Sequence, residues 1–139
     1  MKNPYQQYRD ESVMTATPGE IVVKLFTAVI KNVNLASAAI EQNRVSDAHS
    51  SLLRAQEIIL ELSLGLDMQF AVSSQIKPLY DFIYEKLVDA NLKKDASILE
   101  TVMPLLNDFR ATWQEADRLR RVQEAASSRV QAPMAAAAY

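Results

Sequence analysis

Apolar positions recur along this chain at alternating intervals of four and three, the spacing that collects side chains on one face of an α-helix. Between 76 and 92, in IKPLYDFIYEKLVDANL, the repeat runs through Ile76, Tyr80, Ile83, Leu87 and Ala90. Leu79, Phe82, Tyr84, Val88 and Leu92 fall off that stripe, so the helix is apolar on more than one side. Such a helix is either central in its domain or keeps a surface for a partner. The pattern predicts both here: a helix that holds the domain together and lines a groove for another chain.

Three further helices follow from the same spacing. Thr17-Pro18-Gly19-Glu20 combines a capping hydroxyl, a proline suited to the first helical position and a glutamate placed to complete a capping box. The first helix starts there, carries Val22, Phe26, Val29, Val33, Ala36 and Ile40 inward, and ends within 41–43. Asn43 or Ser46 starts the second, striped by Ala48, Leu52, Ala55, Ile59, Leu62 and Leu66 and widened by Leu53, Ile58, Leu60 and Leu64. It fades over 65–67 into a connection at 68–74. The third helix is the stretch 76–92, in which Pro78 is tolerated by its place near the first turn. Asp95 caps the fourth, whose inner face is Ile98, Val102, Leu105, Phe109, Trp113 and Ala116. Pro104 predicts a kink or a late start there, and regularity is lost after about Arg121.

Outside these elements no stripe repeats. Residues 1–16 form a mobile arm whose apolar anchors include Tyr5, Tyr8, Val13 and Met14. They either pack on their own domain or cover a groove until a partner arrives. Residues 122–139 are alanine-rich and of low complexity, an irregular or weakly helical tail. The reading is all-α: an antiparallel four-helix bundle over 17–121, flanked by the arm and the tail.

Composition narrows the function classes. A chain of 139 residues makes one domain, and with 2 glycines and no cysteine it carries neither the turns of a β-fold nor a disulfide or thiolate metal site. A net charge of −2 and a pI near 5.4 argue against nucleic-acid binding. The polar start of the chain does not read as a signal peptide, and the apolar stretch 21–30, interrupted by Lys24, is too short to span a bilayer. These features predict a cytoplasmic protein without membrane insertion.

No catalytic constellation is visible. His49 is the single histidine, and Asp47 two residues before it points to another side of the helix, so the two make no metal pair. Glu57 and Glu61 fit a solvated face. The two glycines, Gly19 and Gly65, cannot build a phosphate loop. The sequence predicts no enzyme, no cofactor and no metal. Arg118, Arg120, Arg121 and Arg129 read as a solvated helix end or as a docking point for an acidic partner.

Several stretches together resemble the flagellar export chaperone family FliS: YQQYRDESVMTATPGEIVVKLF, RAQEIILELSLGLDM, LYDFIYEKLVDANLKKD, and DFRATWQEA late in the fourth helix. The resemblance covers about residues 3–118, and its force lies in the order and spacing of motifs that are weak singly. It implies a helical bundle that binds the disordered C-terminal segment of flagellin, with the N-terminal arm moving aside, Tyr5 matching the arm's tyrosine, and the groove drawing on the second to fourth helices. Docking to the export gate of the flagellar secretion system is implied in the same way. Pro104 and the alanine-rich tail depart from the family's pattern.

The physics of such a client fits. A disordered segment that gains helix in an apolar groove is recognised by anchors at i, i+3 and i+4, without chemistry. Helix-wheel position selects Ile58, Leu62, Leu79, Phe82 and Leu106 as client-binding, with Tyr5 and Tyr8 from the arm. From the residues alone, the surplus apolar surface equally fits a self-associating structural bundle or an adaptor without a flagellin client. The expected state is a monomer or weak homodimer.

Overall fold

The computed structural model describes residues 17–137, with side chains as far as residue 129. The expectations for the arm at 1–16, Tyr5 and Tyr8 included, lie outside the described residues.

Local chemistry sets most helix ends. Helix α1 (Pro18–Glu41) starts as the sequence predicts: Thr17 Oγ1 accepts from the Glu20 N–H at 3.2 Å. It ends in a reversal through Asn43, whose φ of 59° is the left-handed conformation that a short asparagine tolerates. Asn43 therefore turns the chain rather than capping the next helix. Helix α2 (Val45–Leu64) begins behind Arg44, which makes no side-chain cap and pairs instead with Asp47 at 2.9 Å.

Helix α3 (Ala71–Lys93) starts five residues ahead of the predicted stretch. Asp67 organises that start: its Oδ1 accepts from the Gln69 N–H at 3.0 Å, and its carbonyl from Ser73 Oγ at 2.6 Å. Pro78 consequently lies well inside the helix, beyond the first turn expected for it. The missing proline N–H frees the Ser74 carbonyl, on an exposed residue where water can satisfy it. Lys94 ends α3 at φ 49°, and its Nζ donates back to the Asn91 carbonyl at 2.5 Å and Oδ1 at 2.7 Å.

Helix α4 (Ala96–Ala137) follows Asp95, whose Oδ1 accepts from the Ser97 N–H at 2.9 Å and Oγ at 2.6 Å. It runs through Pro104 without a delayed start, and it does not lose regularity at Arg121. High alanine propensity and pairs such as Arg120 with Glu124 at 2.6 Å support the extension. Beyond Arg121, which still pairs with Glu20 of α1, every residue from Val122 to Arg129 is exposed, so this part leaves the bundle.

The links are short, so sequence neighbours run antiparallel, and α4 closes the ring against α1. Across the diagonal, α1 and α3 meet through Phe26 and Tyr80, ring centroids 5.8 Å apart. Phe109 of α4 completes a cluster, 5.6 Å from Phe26 and 5.0 Å from Tyr80. Val29, Leu52, Ile59, Ile83, Leu87, Val102 and Leu106 fill the rest of the core. Burial pushes the Tyr80 phenol above its ordinary pKa, opposed more weakly by the Trp113 side chain.

An 18-residue window of α1, longer than the stretch 21–30, reaches a mean hydropathy of 1.4 and is long and apolar enough to cross a membrane. Its buried face, from Leu25 through Ala36, is part of the bundle core.

Candidate binding grooves

Four packed helices leave furrows wherever a stripe is wider than the contact that covers it. A strongly apolar furrow lies between α3 and α4, about 450 Å³, lined by Val72, Ile76 and Leu79 on one side and Leu105, Phe109, Trp113 and Ala116 on the other. Asp108 is its single charged lining residue. Leu79 is 41% exposed, and Val72 is 56% exposed at the groove's mouth, whereas Phe109 and Trp113 are half-buried and reach the core behind it.

Two further furrows flank α1. One, about 340 Å³, gathers Ile21, Val22, Leu62, Leu66, Tyr80 and Trp113 where all four helices converge near the α2–α3 link. The other, about 390 Å³, runs between α1 and α2 over Leu25, Ala28, Leu35 and Ile58.

The residues selected from the sequence therefore separate. Leu79 lines the α3–α4 groove and Phe82 is 39% exposed on the same helix, its ring 5.6 Å from Lys86 Nζ. Ile58 and Leu62 are largely covered and form the floors of two different furrows. Leu106 is fully buried and belongs to the core, so it offers no surface in this packing. Its neighbour Leu105 lines the groove instead, because one residue along a helix turns the side chain by about 100°. Leu105, Phe109 and Trp113, read from periodicity as inner face, are boundary residues serving core and groove together, whereas Ala116, read the same way, is exposed at the groove rim. Periodicity marks an apolar stripe but not its edge.

Polar clips hold the helices around these furrows. Ser63, buried on α2, donates to Asp81 of α3 at 3.3 Å and accepts from Lys77 at 3.1 Å. Asn91 and His49 join α3 to α2 at 3.0 Å, so the histidine expected on a bare surface has a side-chain partner while remaining exposed. Near the N-terminus of α1, Asp117 of α4 is buried and accepts from Thr17 Oγ1 at 3.2 Å and Arg120 at 2.9 Å, with Arg121 at 2.8 Å. The Arg120 hydrogen bond, aided by the Arg121 charge, holds the Asp117 carboxyl below the usual carboxylate range. Arg121 also pairs with Glu20, and Arg118 with Glu115 at 2.7 Å. Those three arginines are thus engaged within the chain.

Among the described residues no group of His, Cys, Asp or Glu is placed to hold a metal. What the architecture offers is apolar concavity bounded by rigid helices, the equipment of a protein that binds another chain. The chain matches the flagellar protein FliS family over residues 1–120 and belongs to it, a family of chaperones and not of enzymes. It is 37% identical to the flagellar secretion chaperone FliS of Bacillus subtilis (strain 168) over 121 residues, 87% of this chain and 91% of that one. To the flagellar secretion chaperone FliS of Salmonella typhimurium it is 31% identical over 124 residues, covering 86% and 92%. A solved structure, "Crystal structure of flagellar chaperone from bacteria", shares the fold with a TM-score of 0.69 at 17% identity, over 82% of this chain and 94% of that one.

Proposed function

We infer that this FliS-family chain is a cytoplasmic export chaperone that binds the disordered C-terminal segment of flagellin. It keeps that segment from polymerising early and delivers it to the flagellar type III export apparatus. The observation that carries the reading is the α3–α4 groove, whose lining from Val72 to Trp113 is apolar but for Asp108 and Thr112. An unfolded segment docking there as helix would bury apolar side chains along Leu79 and Leu105, offsetting its own ordering entropy. Phe82 extends the contact along α3; Ile58 and Leu62 lie on the two flanking furrows, of which an extended client would reach the one at Leu62 by wrapping. Tyr5 and Tyr8 would cover the vacant groove until the client displaces them.

Calorimetric titration of the full chain with a flagellin C-terminal peptide tests this. A one-to-one complex with a clearly negative heat-capacity change is expected, and Leu79→Glu should abolish most of the heat. Absence of binding, together with a stable dimer in light scattering, would replace the reading by self-association of the bundle.

A further inference from the structure

The furrow between α1 and α2 differs in kind from the one between α3 and α4. Its floor is apolar, with Leu25 and Ile58 almost fully covered and Leu35 48% exposed, but its rims are charged. Lys24 and Lys31 stand on the α1 rim, seven residues and so about 10 Å apart along the helix axis. Arg54 stands on the α2 rim, where Glu57 is the single carboxylate of the lining.

None of the three cations has an ion-pair or hydrogen-bond partner among the described residues. Arg44, Lys77, Lys93, Arg118, Arg120 and Arg121 all do. Asn32, nine-tenths buried in the lining, donates from Nδ2 to the Ala28 carbonyl at 2.9 Å. Its Oδ1 has no partner among the described residues, and since none of their fully enclosed side-chain oxygens lacks one, this atom keeps access to solvent on a residue of the furrow lining.

We propose that the α1–α2 furrow is a second docking site, for an amphipathic helical segment of another protein that carries carboxylates on both sides of an apolar ridge. Leucine-sized anchors at i, i+3/i+4 and i+7 match a floor two helical turns long. Glutamates or aspartates beside those anchors meet Lys24 and Lys31 on one rim and Arg54 on the other. A donor group of the guest reaches Asn32 Oδ1 and fixes its register. A basic segment would face three cations against one carboxylate and is rejected. The α3–α4 groove, with Asp108 as its only charge, has no such preference, so the two furrows select different guests. This assignment does not depend on flagellin being the client of the α3–α4 groove.

The test uses the full chain and a fluorescent synthetic peptide roughly four turns long, with leucine at every third or fourth position and glutamate elsewhere. A counterpart carries lysine in place of every glutamate. The acidic peptide should bind more than about tenfold tighter than the basic one, and added salt should loosen it. Lys24→Glu with Lys31→Glu should weaken the acidic peptide about tenfold and favour the basic one, while Leu79→Glu leaves both unchanged. Should the double reversal disturb folding, Lys31→Ala reads the same loss at smaller size. Equal affinity for the two peptides, indifference to the lysine changes, or loss of binding in Leu79→Glu would each overturn the proposal. So would capture by phosphatidylglycerol vesicles that the lysine changes abolish, which would make the furrow a lipid surface.

Discussion

A Cβ placed on Gly19 would lie 2.7 Å from Asp117 Oδ1. The first turn of α1 therefore approaches the Asp117 side chain of α4 so closely that a Cβ there would force the carboxylate to shift, and glycine is there for that approach rather than for an unusual backbone angle. Asp117 cannot easily withdraw, because Thr17, Arg120 and Arg121 hold it from three directions. Gly19→Ala is expected to destabilise the bundle by about 1–3 kcal/mol, the usual range for overpacking a fixed contact. Thermal unfolding checks it. In a double-mutant cycle with Asp117→Ala the two changes should be strongly non-additive, since removing the carboxylate makes room for the new methyl.

The same carboxylate makes stability depend on acid. Asp117 is held low by Arg120 first and by the Arg121 charge and Thr17 after it; Asp95 is held low by Ser97 and Glu115 by Arg118. A group whose pKa is lower folded than unfolded contributes stability that is complete above its unfolded value, about 4 for these acids. That contribution is lost as pH falls through the folded value. Melting temperature should accordingly drop below about pH 4, and Asp117→Asn should lower it near neutrality while flattening the acid side of the profile. A profile unchanged by Asp117→Asn would mean that this cluster does not couple folding to protons.

The four helices were legible because each carries a stripe wide enough to read at 3.6-residue spacing, and Thr17 and Asp95 are caps with a visible side-chain mechanism. The start of α3 was not, because Phe70 makes no side-chain cap and the organising group, Asp67, acts from the preceding loop. Asn43 resembles a cap in sequence but serves as a left-handed reversal, closed by local bonds from its own N–H to the Ile40 carbonyl and from the Arg44 N–H to the Ala39 carbonyl. The groove was half legible: Leu79 was found because it falls off the stripe of its helix. Leu105, Phe109 and Trp113 were hidden because they fall on theirs. Leu106 was chosen and proves to be core, since a helical wheel does not say how far a neighbour reaches around it.

Asn91 links three elements with one amide: its Nδ2 faces His49 Nδ1 at 3.0 Å and its Oδ1 accepts from Lys94 Nζ at 2.7 Å. Lys94 is an obligate donor, so it fixes which end of the amide is oxygen, and His49 Nδ1 lies 3.0 Å from Nδ2 and 3.3 Å from Oδ1, its role set by the tautomer. Asn91→Leu removes both side-chain bonds at a site only 8% exposed and leaves Lys94 Nζ with the residue's backbone carbonyl alone. A loss of about 1–3 kcal/mol is expected, measured by denaturant unfolding, with hydrogen exchange rising first at the α3–α4 turn. His49→Ala, which deletes a partner on the exposed side, should cost less than half as much.

The division between core and groove on neighbouring residues gives the sharpest contrast. Leu106 is completely buried, so Leu106→Ala opens a cavity and should lower stability by about 2–5 kcal/mol. Leu79 is 41% exposed at the groove wall, so Leu79→Glu leaves the charge in water and should change stability by less than about 1 kcal/mol. Binding should show the reverse order. A flagellin peptide that needs the apolar wall would lose affinity by about a hundredfold in Leu79→Glu, because a carboxylate must be desolvated against it. Leu106→Ala, assayed below its own unfolding temperature, should bind nearly as the parent does. If both changes weakened binding and stability in proportion, the groove would be a by-product of packing, and recognition would reside elsewhere on the bundle.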